Sequence, residues 1–362
     1  CVAGRIAGGC RKRLAAACWL VMYKTDALSG SGQPLAPWLQ GQLERLLLQQ
    51  GHAWLLSGPS GLGQFDLALA LATAWLCEQS GPHGACERCS SCHAVAVHTH
   101  ADLCLLLPET LSLSLGWPLD EKTQDDLDGK KRKPSKEIRI DAMRDAVEFS
   151  QRTSARGRGK AVLVFPAERM NNVTANALLK TLEEPPGDVK FVLASDAAHQ
   201  LLPTIRSRCL WHSMVWPQEK ASLAWLETKG VQHAQSSIVL RAAGGRPLDA
   251  LLFAGTGRNA QAWPILPKAM ARGDLSVLKD WSPAQTVDAL HKLCHDMLTV
   301  KVGAGPRFFN SADLPAGGSI ASLTAWSKSL AKTARTVEHP FNPGLMLEAL
   351  VSEAKNALNS RQ

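Results

Sequence analysis

Four short, continuously apolar segments alternate along the sequence with segments of helical periodicity. This alternation restricts the possible folds more than any other feature. The apolar segments are residues 53–56, 103–107, 161–165 and 191–194. Strands that are apolar on both faces and are joined by helices are typical of a parallel sheet with helices on both sides. The sequence therefore predicts an α/β domain.

The segments between these strands carry apolar residues at helical spacing. Helices are predicted over residues 35–50, 64–78 and 174–184, and over a segment in which Ile140, Met143 and Val147 share one face. Beyond residue 216 the strand signal fades and helical periodicity continues to the end. We therefore predict a small three-helix domain over residues 216–258 and an all-helical domain over residues 259–362.

The first residues differ in character from the rest of the chain. Residues 1–21 begin with Cys1 and carry four of the basic residues behind the formal net charge of +8. They are interpreted as a tail or a start-site artefact, and the α/β domain is assigned to residues 22–215. The remaining body is mildly basic, which is compatible with nucleic-acid contact without requiring it. No apolar run reaches the roughly 18 residues that span a bilayer, so no membrane partner is expected.

Four of the ten cysteines lie close together, as Cys77, Cys86, Cys89 and Cys92. Clustering in a chain of this size favours a metal site over disulfides, and hence a reducing cytoplasm. Four thiolates with Cys-x2-Cys spacing are typical of a structural zinc site, in which no position is left for water. A nearby histidine could replace one cysteine as ligand, the candidates being His83, His93, His98 and His100.

A glycine-rich turn follows the first predicted strand and precedes a predicted helix. It contains Gly58, Gly61 and Gly63 in the context of a phosphate-binding loop. In such a loop a lysine contacts the terminal phosphates and a Ser or Thr holds magnesium. Here these positions are Gln64 and Phe65, which can do neither, so nucleotide binding is not expected. The turn could equally be a simple entry to the helix.

The strand over residues 161–165 also lacks the expected catalytic residues at its end. An acidic pair would hold magnesium there, but the sequence reads Phe165-Pro166-Ala167-Glu168. Proline cannot bind metal, and Glu168 is displaced from the strand end. The two losses together predict that this chain does not hydrolyse ATP.

Three further segments carry candidate functional residues. Residues 108–137 are interpreted as a solvated surface insertion with acidic and basic halves, and its Lys130, Lys131, Arg132 and Lys133 are candidate DNA contacts. Residues 204–209 form a short basic segment, which surface ion pairing would also explain. Core packing is the expected role of the tryptophans at positions 211, 216 and 225.

Several of these motifs together resemble the bacterial clamp-loader AAA+ family. Residues 175–186 are similar to a helix motif of its ATPases, and Ser207-Arg208-Cys209 is similar to its SRC motif. The family also has a four-cysteine module after the phosphate-loop helix. The resemblance covers residues 35–215, and residues 243–247 resemble the start of the family's lid helix.

The resemblance implies a fold and an assembly. The fold would be a RecA-like AAA+ domain with a zinc module at residues 77–92, then a lid domain (216–258) and a collar domain (259–362). Departures at Gln64, Phe65 and Pro166 match the family's non-hydrolysing subunit. Such a subunit occupies a heteropentameric ring with gamma or tau ATPase subunits and a delta subunit. The ring loads the sliding clamp onto primed DNA for DNA polymerase III.

In that setting the resemblance assigns Arg208 as an arginine finger that reaches ATP held by a neighbouring subunit. Ser207 and Cys209 would fix its position. The family's delta subunit fits less well, because it lacks the zinc module and the SRC motif. The alternatives are an active motor ATPase of the same family, or a free-standing zinc-binding nucleic-acid module.

Overall fold

The computed structural model describes residues 35–255, 258–279, 281–337 and 342–360. These residues form two compact units, and the boundary between them follows Ala221. The tail assigned to residues 1–21 lies outside the described residues. The division of the second unit at residue 258 stays a prediction.

A five-stranded sheet forms the centre of the first unit, and all of its strands are parallel. The strand order is β2-β3-β4-β1-β5, so that β2 and β5 are the edge strands. The strands are β1 (Ala53–Ser57), β2 (Leu103–Leu106), β3 (Lys160–Val164), β4 (Val189–Ser195) and β5 (Leu210–Ser213).

Helices connect these strands and cover the sheet. They are α1 (Pro37–Leu47), α2 (Gln64–Leu76), α3 (Ser90–Ala96), α4 (Glu109–Leu115), α5 (Glu121–Asp128), α6 (Ile140–Gln151), α7 (Asn172–Glu183) and α8 (Pro203–Arg206), with single 3-10 turns at Ala167–Arg169 and Ala198–Gln200.

The two faces of the sheet bury alternate residues of each strand. In β3, Val162 and Val164 pack in one core with Met143 of α6 and Leu178 of α7. Ala161, which points to the opposite face, packs with Ala72 and Leu76 of α2. Side chains of consecutive strand residues point to opposite faces. The continuous apolar runs in the sequence therefore reflect burial on both sides.

The structure confirms the predicted parallel α/β fold and adds one strand. The four predicted strands and the helices between them are present, with bounds that differ by a few residues. The segment containing Arg208 does not follow the last strand, because β5 comes directly after it and pairs with β1. This strand has only four residues, three of them exposed, so it lacks the apolar run that identified the others.

The charged insertion at residues 108–137 is more ordered than its sequence indicated. It contains α4 and α5, and its Arg132 donates hydrogen bonds to Glu109, whose side chain is 8% exposed. The Ser135 backbone amide donates to the same carboxylate. The sequence did not reveal these contacts, whereas α5 has no buried residue. A segregated charge pattern can also arise where opposite charges pair across a turn.

The second unit is helical throughout its described residues. Its helices are α9 (Glu219–Thr228, in which the boundary falls), α10 (His233–Ala242), α11 (Pro247–Ala254), α12 (Arg258–Arg272), α13 (Pro283–Lys301), α14 (Ile320–Thr336) and α15 (Pro343–Leu358), with 3-10 turns at Ser276–Leu278 and Ser311–Asp313. One core contains Ala242 of α10 and residues of α12 to α15, among them Trp263, Leu290, Trp326 and Leu350. In the part of the chain that the structure describes, no helix has the length and apolarity that crossing a bilayer requires.

Candidate functional site

The glycine-rich turn joins β1 to α2, as the sequence predicts. Gly61 and Gly63 have positive φ angles of 78° and 95°, a conformation that glycine adopts without strain. A Cβ atom at Gly63 would also lie 2.7 Å from the Leu39 side chain. These two glycines therefore allow the backbone to follow the path of the turn.

The Gln64 side chain is turned back onto the loop that precedes it. Its Nε2 donates hydrogen bonds to the carbonyl oxygens of Gly58, at 2.8 Å, and of Pro59, at 2.7 Å. Gln64 is 2% exposed. The side chain at the lysine position thus closes the loop with neutral hydrogen bonds and brings no positive charge to it.

Apolar packing occupies the place where a magnesium-binding hydroxyl would be expected. The Phe65 ring lies 5.4 Å from the Phe165 ring, centroid to centroid, and both residues are buried. Glu168, the acidic residue nearest the end of β3, accepts hydrogen bonds from the Ser195 hydroxyl at 2.6 Å and the Asp196 amide at 3.2 Å. Its carboxylate therefore joins the ends of β3 and β4.

The structure brings together the four cysteines that the sequence singled out. The Sγ atoms of Cys77, Cys86, Cys89 and Cys92 all lie within 4.8 Å of one another. The distance from Cys89 Sγ is 3.8 Å to Cys77 Sγ and 3.5 Å to Cys92 Sγ. A tetrahedral zinc ion with Zn–S bonds of about 2.3 Å requires sulfur–sulfur distances of about 3.8 Å. The donor set and its spacing fit zinc.

Backbone amides support thiolates at this cluster. The amides of Gln79 and Cys86 donate to Cys77 Sγ, at 3.4 and 3.3 Å, and the Cys92 amide donates to Cys89 Sγ at 3.4 Å. Burial alone would raise the pKa of Cys89. Hydrogen bonds from the backbone and from neighbouring cysteines outweigh that effect and bring the pKa to about 6. Metal binding requires the thiolate form, but burial raises the pKa values of Cys77 and Cys92. The sulfur geometry therefore carries the ligand assignment.

None of the described histidines joins the cysteine cluster. His83 hydrogen-bonds with Glu44, and the His98 ring stacks on Trp117 at a centroid distance of 3.7 Å. His100 is buried and hydrogen-bonds with the Ser91 hydroxyl. The four-cysteine set is therefore the arrangement that the geometry favours over a mixed one.

Polar contacts that the sequence did not reveal connect the cysteine module to the sheet. Arg156 donates to the Ser90 hydroxyl at 2.6 Å and pairs with Glu78. Asp102, which is completely buried before β2, accepts hydrogen bonds from the Ser154 hydroxyl and from the amides of residues 155 and 156. The sequence signal for this contact was a charged residue, Asp102, directly before an apolar strand. It could not identify the partners of Asp102, which lie more than fifty residues away.

Arg208 lies between α8 and β5, at the edge of the sheet. Its Nε donates to Glu183 Oε1 at 2.7 Å, and its Nη2 contacts the same oxygen. Its Nη1 donates to the Thr204 carbonyl oxygen at 2.8 Å and lies 3.4 Å from the Ser207 hydroxyl oxygen. The side chain remains 30% exposed. Ser207 thus contacts the guanidinium as expected, whereas Cys209 packs against the sheet core instead.

The tryptophans near Arg208 differ in exposure. Trp225 is 9% exposed and fits the predicted core role, but Trp211 and Trp216 are 50% and 46% exposed. Core packing was thus the wrong expectation for these two. Leu210 and Val215 are also exposed. Leu210, Trp211, Val215 and Trp216 are thus exposed apolar residues in and directly after β5. We call this segment, which begins two residues after Arg208, the β5 strip.

A protein-family model described as "DNA polymerase III, delta subunit" matches residues 39–215. Residues 39–215 are therefore similar to this family. The matched segment contains the glycine-rich turn, the four cysteines and Arg208. The family match and these candidate sites therefore concern the same part of the chain.

Curated relatives agree with this family match. DNA polymerase III subunit delta' of Pseudomonas aeruginosa is 37% identical over 229 residues, which cover 62% of this chain and 63% of that protein. The delta' subunit of Escherichia coli K12 is 34% identical over 243 residues, with 65% of each chain covered. These matches span slightly less than two thirds of the relatives' own lengths.

More distant matches include a subunit of another type and a solved structure. DNA polymerase III subunit tau of Salmonella typhimurium is 29% identical over 226 residues, which cover 62% of this chain and 30% of that protein. A DNA polymerase III gamma subunit-related protein of Thermotoga maritima is 16% identical. It covers 89% of this chain and 100% of its own, with a TM-score of 0.45.

Proposed function

We propose that this chain is the delta prime subunit of a bacterial DNA polymerase III clamp loader. In this role it would not hydrolyse ATP itself, but would supply Arg208 to ATP bound by a neighbouring ATPase subunit. The family match of residues 39–215 and the delta' relatives support the proposal. The observation that carries it is the pairing of a closed, uncharged glycine-rich turn with a partly exposed arginine at the edge of the same sheet.

The absence of ATP hydrolysis follows from the chemistry of the turn. Phosphoryl transfer requires positive charge and magnesium close to the terminal phosphates. The buried Gln64 amide is bonded to loop carbonyls and Phe65 packs on Phe165. Neither side chain supplies the positive charge or the magnesium-binding hydroxyl that this chemistry needs. An active motor ATPase is therefore a less suitable function for this chain.

Arg208 has the properties that an arginine finger needs. Its guanidinium carries a permanent positive charge, and part of it faces solvent. A finger supplied by one protein to another stabilises the charge that develops on the transferring phosphoryl group, which accelerates hydrolysis by roughly 10³ to 10⁵-fold in well-studied nucleotidases.

The remaining parts of the proposal concern the whole assembly. The chain would occupy a heteropentameric ring with gamma or tau ATPase subunits and a delta subunit. This ring would open the sliding clamp in the cytoplasm and place it on primed DNA. Residues 22–215 would be the AAA+ domain, followed by the lid and collar domains. A structural zinc ion bound by Cys77, Cys86, Cys89 and Cys92 would stabilise the cysteine module, and the nearby sulfur distances support this assignment.

A reconstituted clamp loader tests the proposal. ATP hydrolysis stimulated by primed DNA and clamp is measured with the wild-type chain, with Arg208→Ala and with the matched control Arg144→Ala, an exposed arginine on α6. We expect the isolated chain to be inactive. We expect Arg208→Ala to lower the rate of the complex at least tenfold, about 1.4 kcal/mol in the barrier, and Arg144→Ala to leave it unchanged.

Other results would support the other candidate functions. Turnover by the isolated chain would indicate an active motor subunit. An unchanged rate with Arg208→Ala would reduce this arginine to a structural residue. Tight DNA binding by the isolated chain, without assembly with the other subunits, would indicate a separate zinc-binding nucleic-acid module.

A further inference from the structure

Arg208 is held by Glu183, a residue that had no predicted role. Glu183 is the last residue of α7, and its carboxylate receives both the Nε and the Nη2 of Arg208. On the other side of the guanidinium, Nη1 donates to the carbonyl oxygen of Thr204. Two elements that are far apart in sequence therefore hold this side chain from two sides.

These contacts leave the outer end of the guanidinium available. A guanidinium has five N–H donors in one plane. Glu183 receives the Nε and one donor of Nη2, while Thr204 and Ser207 lie next to Nη1. Within the part of the chain that the structure describes, the second N–H of Nη2 has no acceptor. The charge can therefore contact an anion without losing its support.

The platform beneath Glu183 is firmly packed. In α7, Leu178 and Leu182 are each 1% exposed and lie in the sheet core. Glu183 follows directly on this buried turn, and its side chain is 47% exposed. A flexible arginine loses much rotamer freedom when it is fixed in one direction. Because the support is on a rigid helix, Arg208 has already lost part of this rotamer freedom before the partner subunit binds.

We propose that Glu183 is a positioning residue, which holds Arg208 in the direction from which it reaches the nucleotide of the neighbouring subunit. This inference rests on the proposed function. Glu183 does not contact the nucleotide itself. It acts by fixing the plane of the guanidinium, so that the outer N–H groups face away from the sheet.

The contact also indicates which property of Glu183 matters. Both hydrogen bonds from Arg208 end at a single carboxylate oxygen, Oε1. The amide oxygen of a glutamine can accept in the same place, although it carries no charge. Positioning therefore requires an acceptor at residue 183 and not a negative charge. If the charge of Glu183 instead kept Arg208 away from the nucleotide, the variant Glu183→Gln would release the arginine.

Steady-state ATP hydrolysis by the reconstituted clamp loader separates these roles. The chain is compared as wild type, Glu183→Ala and Glu183→Gln. Glu184→Ala is the matched control, since Glu184 is the next residue and is also exposed. Misplacement of a reacting group by about 1 Å can cost up to roughly 10²-fold in rate. We expect Glu183→Ala to lower kcat about tenfold with little change in the KM for ATP. Glu183→Gln should retain most of the wild-type kcat, and Glu184→Ala should retain all of it.

A double variant shows whether the effect passes through Arg208. In the Arg208→Ala background, Glu183→Ala should cause no further loss, because residues that act as one unit are not additive. A further loss of the same size would overturn the inference, as would an increase in kcat with Glu183→Gln or an unchanged kcat with Glu183→Ala. If Arg208→Ala itself leaves the rate unchanged, the proposed function fails first, and the two failures are thus distinguished.

Discussion

Two side chains determine what the glycine-rich turn can do. The Gln64 side chain donates hydrogen bonds to the carbonyl groups of Gly58 and Pro59. Hydrogen bonds of this kind contribute roughly 1 kcal/mol each. The packing of Phe65 on Phe165 adds apolar burial beside them. The two residues that replace the catalytic lysine and hydroxyl are therefore part of the buried core.

Residue identities predicted these losses, but they did not predict the residues that support the site. Glu168 was a weak candidate for a metal ligand, and the structure shows its contacts to the end of β4. Glu183 and Asp102 were not recognised, since their partners lie 25 and more than fifty residues away in sequence. A single sequence shows the chemistry of a side chain but not which distant groups meet it.

The buried carboxylate of Asp102 gives a pH-dependent prediction at this scale. Burial alone would raise its pKa, but the amides of residues 155 and 156, the Ser154 hydroxyl and the charge of Lys160 outweigh this and hold the pKa below its usual 3.8. A group with a lowered folded-state pKa stabilises the protein above its unfolded pKa, and that contribution is lost as the pH falls through the folded value.

We therefore expect Asp102→Asn to lower the free energy of unfolding at pH 7 by about 3 kcal/mol, as when a buried charge pair is broken. Between pH 5 and pH 3 the wild type should lose stability more steeply than this variant. Denaturant unfolding across that range measures both effects, and Asp125→Asn, at an exposed aspartate, is the control. Parallel pH profiles for wild type and Asp102→Asn would contradict the prediction.

At the scale of elements, the cysteine module depends on the ends of two helices. Cys77 follows the last residue of α2, and Cys89 is the N-cap of α3, where its sulfur accepts from the Cys92 amide. The core therefore fixes Cys77, and the short α3 fixes Cys89 and Cys92. Their spacing in sequence predicted the cluster because Cys86, Cys89 and Cys92 are close in sequence, and Cys89 and Cys92 share one turn. It could not reveal that Arg156 and Asp102 connect the module to the sheet.

We expect the purified chain to contain one zinc ion per molecule, and Cys86→Ser to lose most of it. Three sulfurs and a hydroxyl replace a complete tetrahedron, so the affinity falls steeply. Elemental analysis measures the metal content, and hydrogen exchange of residues 77–100 measures the order of the module. The control is Cys104→Ala, a cysteine of β2 outside the cluster. Equal zinc loss in both variants, or no zinc in the wild type, would exclude this assignment.

The edge strand β5 explains which elements sequence patterns reveal. Strands β1, β3 and β4 are almost wholly buried, and each appears in the sequence as an apolar run. β5 pairs with β1 on one side and is largely exposed, so its residues follow no apolar pattern. Burial produces the sequence signal. The other edge strand, β2, has intermediate or buried residues and still shows an apolar run, whereas the exposed β5 shows none.

At the scale of the whole molecule, the two units divide the chain into parts with different sequence signals. Every candidate site lies in the first unit, which ends at Ala221. The helices of the second unit follow from periodicity, but their grouping does not, since one core contains both Ala242 of α10 and residues of α12 to α15. Repeated helical spacing shows where helices are, and only their packing shows how many cores they form.

The β5 strip is exposed in the isolated chain, and we expect it to contact a neighbouring subunit in the proposed assembly. Exposed edge strands with large apolar residues favour association with another chain. The strip begins two residues after Arg208, so a neighbouring subunit whose ATP receives Arg208 would also cover Trp211. Tryptophan is among the residues that most often dominate binding energy at protein interfaces.

We therefore expect Trp211→Ala to weaken binding to the neighbouring ATPase subunit by about tenfold or more, equivalent to about 1.4 kcal/mol. The stability of the isolated chain should change by less than about 0.5 kcal/mol, since the ring is half exposed. Isothermal titration calorimetry with the ATPase subunits measures the affinity, and Val173→Ala, at a 65% exposed position of α7, is the control. An unchanged affinity would leave the β5 strip outside the interface. If Trp211→Ala lowered both the affinity and the stability of the isolated chain, Trp211 would be needed for folding. A residue that only contacts the partner changes the affinity and leaves the stability of the isolated chain unchanged.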